Sequence, residues 1–271
     1  MIKDISKEVE GIINWIKDYV EKFSVNGVVV GNSGGKDSAT VIALATKALG
    51  KERVLTVAMP CNSIKADIDD AKLVADTFNV PLIKVDLTET YRIFEKEVDN
   101  VIKPNEETRH KEAKINAKPR LRMTTLYGIA QTLGYLVIGT GNLCEAMVGY
   151  TTKWGDSSYD FNPIANFTVE EVLAIGKYLG VPEKILVKAP NDGLGGQTDE
   201  EKMGIKYSQI SEMIEKGKVE KTCSPNENAK NIENKILKKY QASMHKRNPV
   251  PVYKFERKNH LFDRKIKCFK V

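Results

Sequence analysis

The segment Gly31-Asn32-Ser33-Gly34-Gly35-Lys36-Asp37-Ser38 follows the apolar run Val28-Val29-Val30 and leads into the helix-like stretch Ala39 to Leu49. Strand, glycine turn and helix in that order constrain the chain more than any other feature. They place unpaired backbone N–H groups and the positive end of a helix dipole where an anion can be held. A Walker A loop would need Gly at position 30 and Ser or Thr after Lys36, but Val30 and Asp37 stand there, so the P-loop triphosphatase reading fails. The alternative to a phosphate cradle is an ordinary glycine turn with a serine cap.

The flanking pattern predicts an α/β fold. Ile5, Val9, Ile12, Ile13, Ile16 and Val20 fall on one face of an amphipathic helix over residues 3 to 22, which would cover the sheet or a partner subunit. Val54 to Ala58 reads as a second strand, and Ser63 is placed to cap a helix reaching Phe78. Pro81 to Val85 opens a third strand, and Thr88 to Ile102 has helical spacing. Asn105 to Lys118 is charged and poorly patterned, and reads as a mobile loop or marginal helix. Leu121 to Leu133 is a helix and Tyr135 to Ile138 a strand. This alternation predicts a doubly wound parallel sheet, Rossmann-like, whose strand ends at Gly31-Asn32, Ala58-Met59, Val85-Asp86 and Gly139-Thr140 border one cleft. Beyond it, Thr168 to Leu179, Tyr207 to Lys216 and Asn226 to Arg247 predict a helical C-terminal region. The glycine-rich stretch Pro190 to Thr198 is a lid candidate.

At 271 residues with 41% hydrophobic content, residues 1–271 are compatible with one large domain that folds alone. No apolar run approaches the ~18 residues of a membrane helix, and the acidic, amphipathic N-terminus does not read as a targeting signal. A cytoplasmic protein with no membrane partner is expected. Cys61, Cys144, Cys223 and Cys268 are too dispersed for a metal knuckle or a disulfide framework. The net charge of +6 suits either nucleic acid or a small polyanion. Lysines of the last third are interleaved with glutamates as on a solvated helix face, which favours the small polyanion over nucleic acid.

Asp37 stands where bare phosphates would repel it unless a cation came between, which implies Mg²⁺. The next strand end supplies Thr140 and a second acid, Glu145, giving two carboxylates that converge from separate strands.

The loop resembles the Ser-Gly-Gly-x-Asp-Ser turn of the ATP pyrophosphatases, the PP-loop superfamily with its adenine nucleotide alpha hydrolase-like fold. Further ordered blocks are similar to those of the ammonia-dependent NAD synthetases: Arg120-Leu121-Arg122-Met123, the segment from Gly139 to Glu145, Gly149 to Asp156 with Asp160, Gly196 to Glu201, and His245-Lys246-Arg247. Enzymes of that family adenylate the nicotinate carboxylate of deamido-NAD, release pyrophosphate, and let ammonia attack the acyl adenylate. The resemblance implies ATP at residues 31 to 38, Thr140 and Asn191, with Mg²⁺ at Asp37 and Glu145. It implies deamido-NAD at Arg120, Lys153, Asp160, His245 and Lys246. It also implies a homodimer with the deamido-NAD sites at the subunit interface. Asp156 is the family-matched candidate for the ammonium site, against an Asx-type turn. Two positions depart from the pattern: Val169 where relatives often place a phosphate-binding Lys, and Asn191 where they have Thr or Ser. Lys36, at a position frequently Gln in bacterial members, is the candidate phosphate stabiliser that makes up for Val169, against a solvent-facing lysine. The chain length leaves no room for an added glutaminase domain, so ammonia is expected from solution or another protein. Another ATP pyrophosphatase, such as a GMP synthetase or a tRNA-modifying ligase, should lack the block from Thr152 to Asp160. A nucleotide sensor without turnover has no need of both acids.

Overall fold

The computed structural model describes residues 2–103, 106–188, 198–217 and 227–253. In chain order the elements are α1 (Ile5–Lys22), β1 (Gly27–Gly31), α2 (Lys36–Leu49), β2 (Val54–Ala58), α3 (Lys65–Phe78), β3 (Leu82–Lys84), α4 (Thr88–Val101), α5 (Glu107–Leu133) and β4 (Tyr135–Ile138). The helical remainder is α6 (Leu143–Val148), α7 (Val169–Tyr178), α8 (Glu183–Leu186), α9 (Asp199–Met203), α10 (Tyr207–Glu215), α11 (Glu227–Ala242) and α12 (Met244–Arg247).

The four strands are parallel in the order β3-β2-β1-β4. β1 shows why helices must cover both faces. Val28 and Val30 enter a core with Ile12, Ile16, Ile42, Leu44 and Ile175, whereas Val29 enters another with Val57, Val137, Leu87 and Tyr91. Alternate side chains of a strand point to opposite faces, so a strand buried on both reads as a continuous apolar run. The expected doubly wound parallel sheet is present. α1 is capped by Asp4 and buries Val9, Ile12, Ile16 and Val20 against α2 and α7, as an outer helix packed on the helices of that face. A further apolar cluster joins α6, α10 and α11, with Val169, Met203, Ile210 and Ile236 among its members.

Several elements differ from expectation. α2 begins at Lys36, so Lys36 and Asp37 lie in its first turn. Ser63 does not cap α3; Ile64 is the N-cap, and the Ser63 hydroxyl accepts from Cys61 N–H at 3.2 Å. Residues 107–118 are the first half of the 27-residue helix α5, which carries Pro119 in its interior. Their partners lie on α4: Lys114 pairs with Glu95 and Asp99, and His110 with Asp99. The last predicted helix is two, interrupted at Ser243. Among the described residues no helix is long and apolar enough to cross a membrane. The lid stretch lies outside the described residues but for Thr198, which caps α9.

Candidate active site

β1 continues through β2 to β3 on one side, while β4 pairs with its other edge, so the order of strand addition reverses between β1 and β4 in an all-parallel sheet. Ligands of open α/β sheets bind beyond the carboxyl ends of the strands at such a switch point. A cleft of about 660 Å³ opens there, within the size range of small-molecule sites. Gly31, Asn32, Ala58, Met59, Gly139 and Thr140 line it. Val85 and Asp86 do not, because β3 is the edge strand farthest from the switch point.

The loop after β1 is shaped from beneath by α3. Asn32 donates through Nδ2 to the Ala71 carbonyl at 2.8 Å and accepts from Gly34 N–H at 3.1 Å. Gly34 has φ +70°, and a Cβ there would lie 2.7 Å from the Asp70 Cβ and 2.8 Å from the Ala71 nitrogen. Both the conformation and the close approach require glycine. Gly35 is the N-cap of α2 with no side-chain cap, so no serine caps this helix. The first N–H groups of α2 remain available to an anion. Ser33 and Ser38 hydroxyls lie 3.1 Å apart across the turn.

The two predicted acids are brought together by Asn142. Its Nδ2 donates to Asp37 Oδ1 at 3.2 Å. In a capping box at the start of α6, Asn142 N–H donates to Glu145 Oε2 at 2.9 Å, and Glu145 N–H to Asn142 Oδ1 at 3.0 Å. Burial, and then the Asp37 charge, push the Glu145 carboxyl up to about 8. A divalent cation would relieve that strain. Mg²⁺ takes one or two carboxylates and completes its shell with phosphate oxygens and water, so this oxygen donor set suits it. Among the described residues no three His, Cys, Asp or Glu side chains form a closed metal cage.

Lys36 is not solvent-facing: it is 7% exposed, with its ammonium 2.8 Å from Asp37 Oδ2 and 5.8 Å from the Tyr207 ring centroid. Burial lowers its pKa, but Asp37, Glu145 and Asp199 together outweigh burial and hold it above the ordinary lysine value. Val169 packs in the α6, α10 and α11 cluster and does not line the cleft. Asn191 lies outside the described residues.

Asp156 accepts from Thr152 N–H at 2.6 Å, the side-chain bond that the turn reading expects, and it also lines the cleft. Its side chain is open to the cavity but ringed by protein otherwise, and burial pushes its carboxyl above the usual range. Lys246, from α12, also reaches the cleft, donating to the Gly149 and Thr151 carbonyls at 2.7 and 2.6 Å. Burial draws its ammonium pKa down.

Arg120, Lys153, Asp160 and His245 are not among the residues lining the cleft. Arg120 Nε donates to the Lys153 carbonyl at 3.2 Å, and the Lys153 ammonium lies 5.3 Å from the Trp154 ring centroid. The Asp160 carboxylate accepts from Val137 N–H at 2.7 Å and Tyr127 OH at 3.2 Å, beside a parallel bridge between Ile138 of β4 and Phe161. His245 is exposed. Cleft residues to which the sequence assigned no role include Tyr150, Arg122 and Asp199, which lie in the family-like blocks, and Lys188, which lies in none. Lys188 pairs with Asp67 at 2.9 Å and Asp70 at 2.7 Å. The i, i+3 spacing of those two acids on α3 is the one signal for a basic partner.

The family model described as NAD synthase matches residues 8–250. The chain belongs to the NAD synthase family. It is 44% identical over 209 residues to the NH(3)-dependent NAD(+) synthetase of Carboxydothermus hydrogenoformans, covering 77% of this chain and 84% of that one. It is 38% identical over 256 residues to the enzyme of the same name from Finegoldia magna, covering 94% and 99%. Among solved structures, an NMN synthetase from Francisella tularensis superposes with TM-score 0.83 at 31% identity, over 94% of this chain and all of that one. An NH3-dependent NAD synthetase from Campylobacter jejuni, in complex with nitrate, gives TM-score 0.74 at 27% identity, over 93% and 100%. Within the NAD synthase family this chain is a ligase of NAD biosynthesis, with the parallel α/β fold of those enzymes.

Proposed function

We propose that this chain is an ammonia-dependent NAD synthetase that activates the nicotinate carboxylate of deamido-NAD with ATP and amidates it. The observation that carries this reading is the pairing of Asp37 and Glu145 through Asn142, beside the uncapped N-terminus of α2. A carboxylate oxygen of the nicotinate attacks the α-phosphorus of ATP, the bond from phosphorus to the α,β-bridging oxygen breaks, and pyrophosphate leaves. Ammonia nitrogen then adds to the acyl carbon, and AMP departs with the oxygen it gained from the carboxylate. The surplus proton on nitrogen passes to water.

Backbone N–H groups of residues 31–38 orient the phosphates, and Asp37 and Glu145 hold the metal. Bound there, Mg²⁺ would neutralise charge gathering on the α-phosphoryl group and the leaving pyrophosphate. Asp156 binds the ammonium ion and accepts its proton. Lys246 attracts the substrate carboxylate or diphosphate. Arg120, Lys153, Asp160 and His245 would meet the rest of deamido-NAD where a second subunit closes the site, in a cytoplasmic homodimer.

The position of those four residues outside the cleft also favours a second reading, supported by the likeness to the NMN synthetase. A mononucleotide bearing the nicotinate carboxylate would need the cleft and Lys246 alone. Pyrophosphate release with ATP, with deamido-NAD or nicotinate mononucleotide as acceptor, tests both. The first reading predicts kcat/KM at least about tenfold higher for deamido-NAD, and the reverse preference selects the second. Release that ignores both acceptors rejects the two together.

A further inference from the structure

We propose that Lys36 is a built-in counter-cation that is paired with Asp37 in the free protein and is displaced when metal and nucleotide enter. The inference rests on the reading of Asp37 and Glu145 as the metal pair. Both oxygens of Asp37 are engaged: Oδ1 accepts from Asn142 Nδ2 at 3.2 Å, and Oδ2 lies 2.8 Å from the Lys36 ammonium. The Asn142 bond can persist when a metal binds, because a carboxylate oxygen has more than one lone pair. The ammonium cannot stay, because two cations a few ångströms apart in a cleft of low dielectric repel strongly. Without Lys36, Asp37 and Glu145 would stand on either side of Asn142 with no cation paired to Asp37, a costly arrangement for two acids largely removed from water.

The surroundings give the displaced ammonium somewhere to go. Its ring neighbour Tyr207 is 3% exposed, and the Tyr207 hydroxyl has no hydrogen-bond partner among the described residues. A buried phenol oxygen is an acceptor for an ammonium. Asp199, which accepts from Tyr150 OH at 3.0 Å, adds negative charge on the same side. Polyphosphate arriving in the cleft would attract the same ammonium, so Lys36 exchanges one anionic partner for another as the site fills.

The test is Mn²⁺ binding to the free protein, without nucleotide, followed by electron paramagnetic resonance of the unbound ion. Lys36→Gln should bind Mn²⁺ about tenfold or more tightly than the native chain, and Lys36→Arg about as weakly as the native chain. Lys36→Met repeats the test with a side chain of similar length that carries no charge, should the Gln variant fold poorly. Binding by the neutral variants that is unchanged within about twofold, or weaker, overturns the proposal. Adding Glu145→Gln to Lys36→Gln should remove the gain. A gain that survives that change places the ion elsewhere and overturns both the counter-cation and the metal pair, whereas a missing gain with Glu145-dependent binding overturns the counter-cation alone.

Discussion

Asn142 joins Asp37 and Glu145 although it lies 105 positions from the first and 3 from the second. The two acids were legible in the sequence because each follows a glycine-bearing strand end. Asn142 was not, because its part is a contact between two strand ends that only the sheet order brings together. The places of Arg122 and Lys188 in the cleft are illegible for the same reason: Arg122 Nε reaches the Met59 carbonyl at 3.1 Å, far away in sequence. Replacing Asp37 or Glu145 with Ala should lower magnesium-dependent pyrophosphate release by about 100-fold or more, since charge on the leaving group loses its counter-charge. Asp156→Asn should separate the half-reactions. Pyrophosphate release in a single turnover should stay within about threefold of normal, while the KM for total ammonia rises roughly tenfold. An equal loss in both steps would make Asp156 only the acceptor for Thr152 N–H that its 2.6 Å bond shows.

At the scale of elements, residues 107–118 show how propensity and periodicity can mislead. They carry few apolar side chains, so their own pattern leaves a loop and a marginal helix both open, and the helix is what forms because Lys114 and His110 find acids on α4 and Ala117 is buried. Tertiary contacts decide the element, as they do for many weakly patterned segments. The junction of α3 with α8 is another long-range device. Asp70 is 3% exposed and meets Lys188 at 2.7 Å and Lys184 at 2.6 Å, directly beneath Gly34 of the phosphate loop. Burial acts to raise the Asp70 pKa, but the two lysines outweigh it and hold the carboxyl below its ordinary value. A carboxylate whose pKa is lower in the folded state stabilises the fold above its unfolded value, and that stability is lost as pH falls through the folded value. Asp70→Asn should therefore cost about 1 to 3 kcal/mol near neutrality in urea unfolding, with the lysines' exposure limiting the loss. The cost should shrink below about pH 4 and vanish at lower pH. A cost that is independent of pH would show that shape, and not charge, joins α3 to α8.

Across the whole molecule, the alternation of strand and helix was enough to predict the parallel sheet, because buried parallel strands and their crossover helices have distinct apolar periods. Which surfaces stay uncovered was not legible, since an amphipathic helix reads alike whether its partner is the sheet or another chain. α1 turns its apolar face to α2 and α7. α4 leaves Ile93, Phe94, Val98 and Val101 exposed, with Ile102 just beyond its end. The homodimer proposed for this chain predicts that a second copy covers this exposed apolar face. Sedimentation should show a dimer of 30.3 kDa chains, and Phe94→Glu with Val98→Glu should shift it to monomer. A native monomer with full activity would remove the shared site proposed for deamido-NAD.

The central claim is that nicotinate carboxylate is activated as an acyl adenylate on the loop after β1. Deamido-NAD labelled with ¹⁸O in its nicotinate carboxylate, turned over with ATP and ammonia, tests it directly by mass spectrometry of the AMP formed. The mechanism predicts one ¹⁸O in the phosphate of each AMP and none in pyrophosphate. AMP without label, or label carried into pyrophosphate or inorganic phosphate, would contradict it.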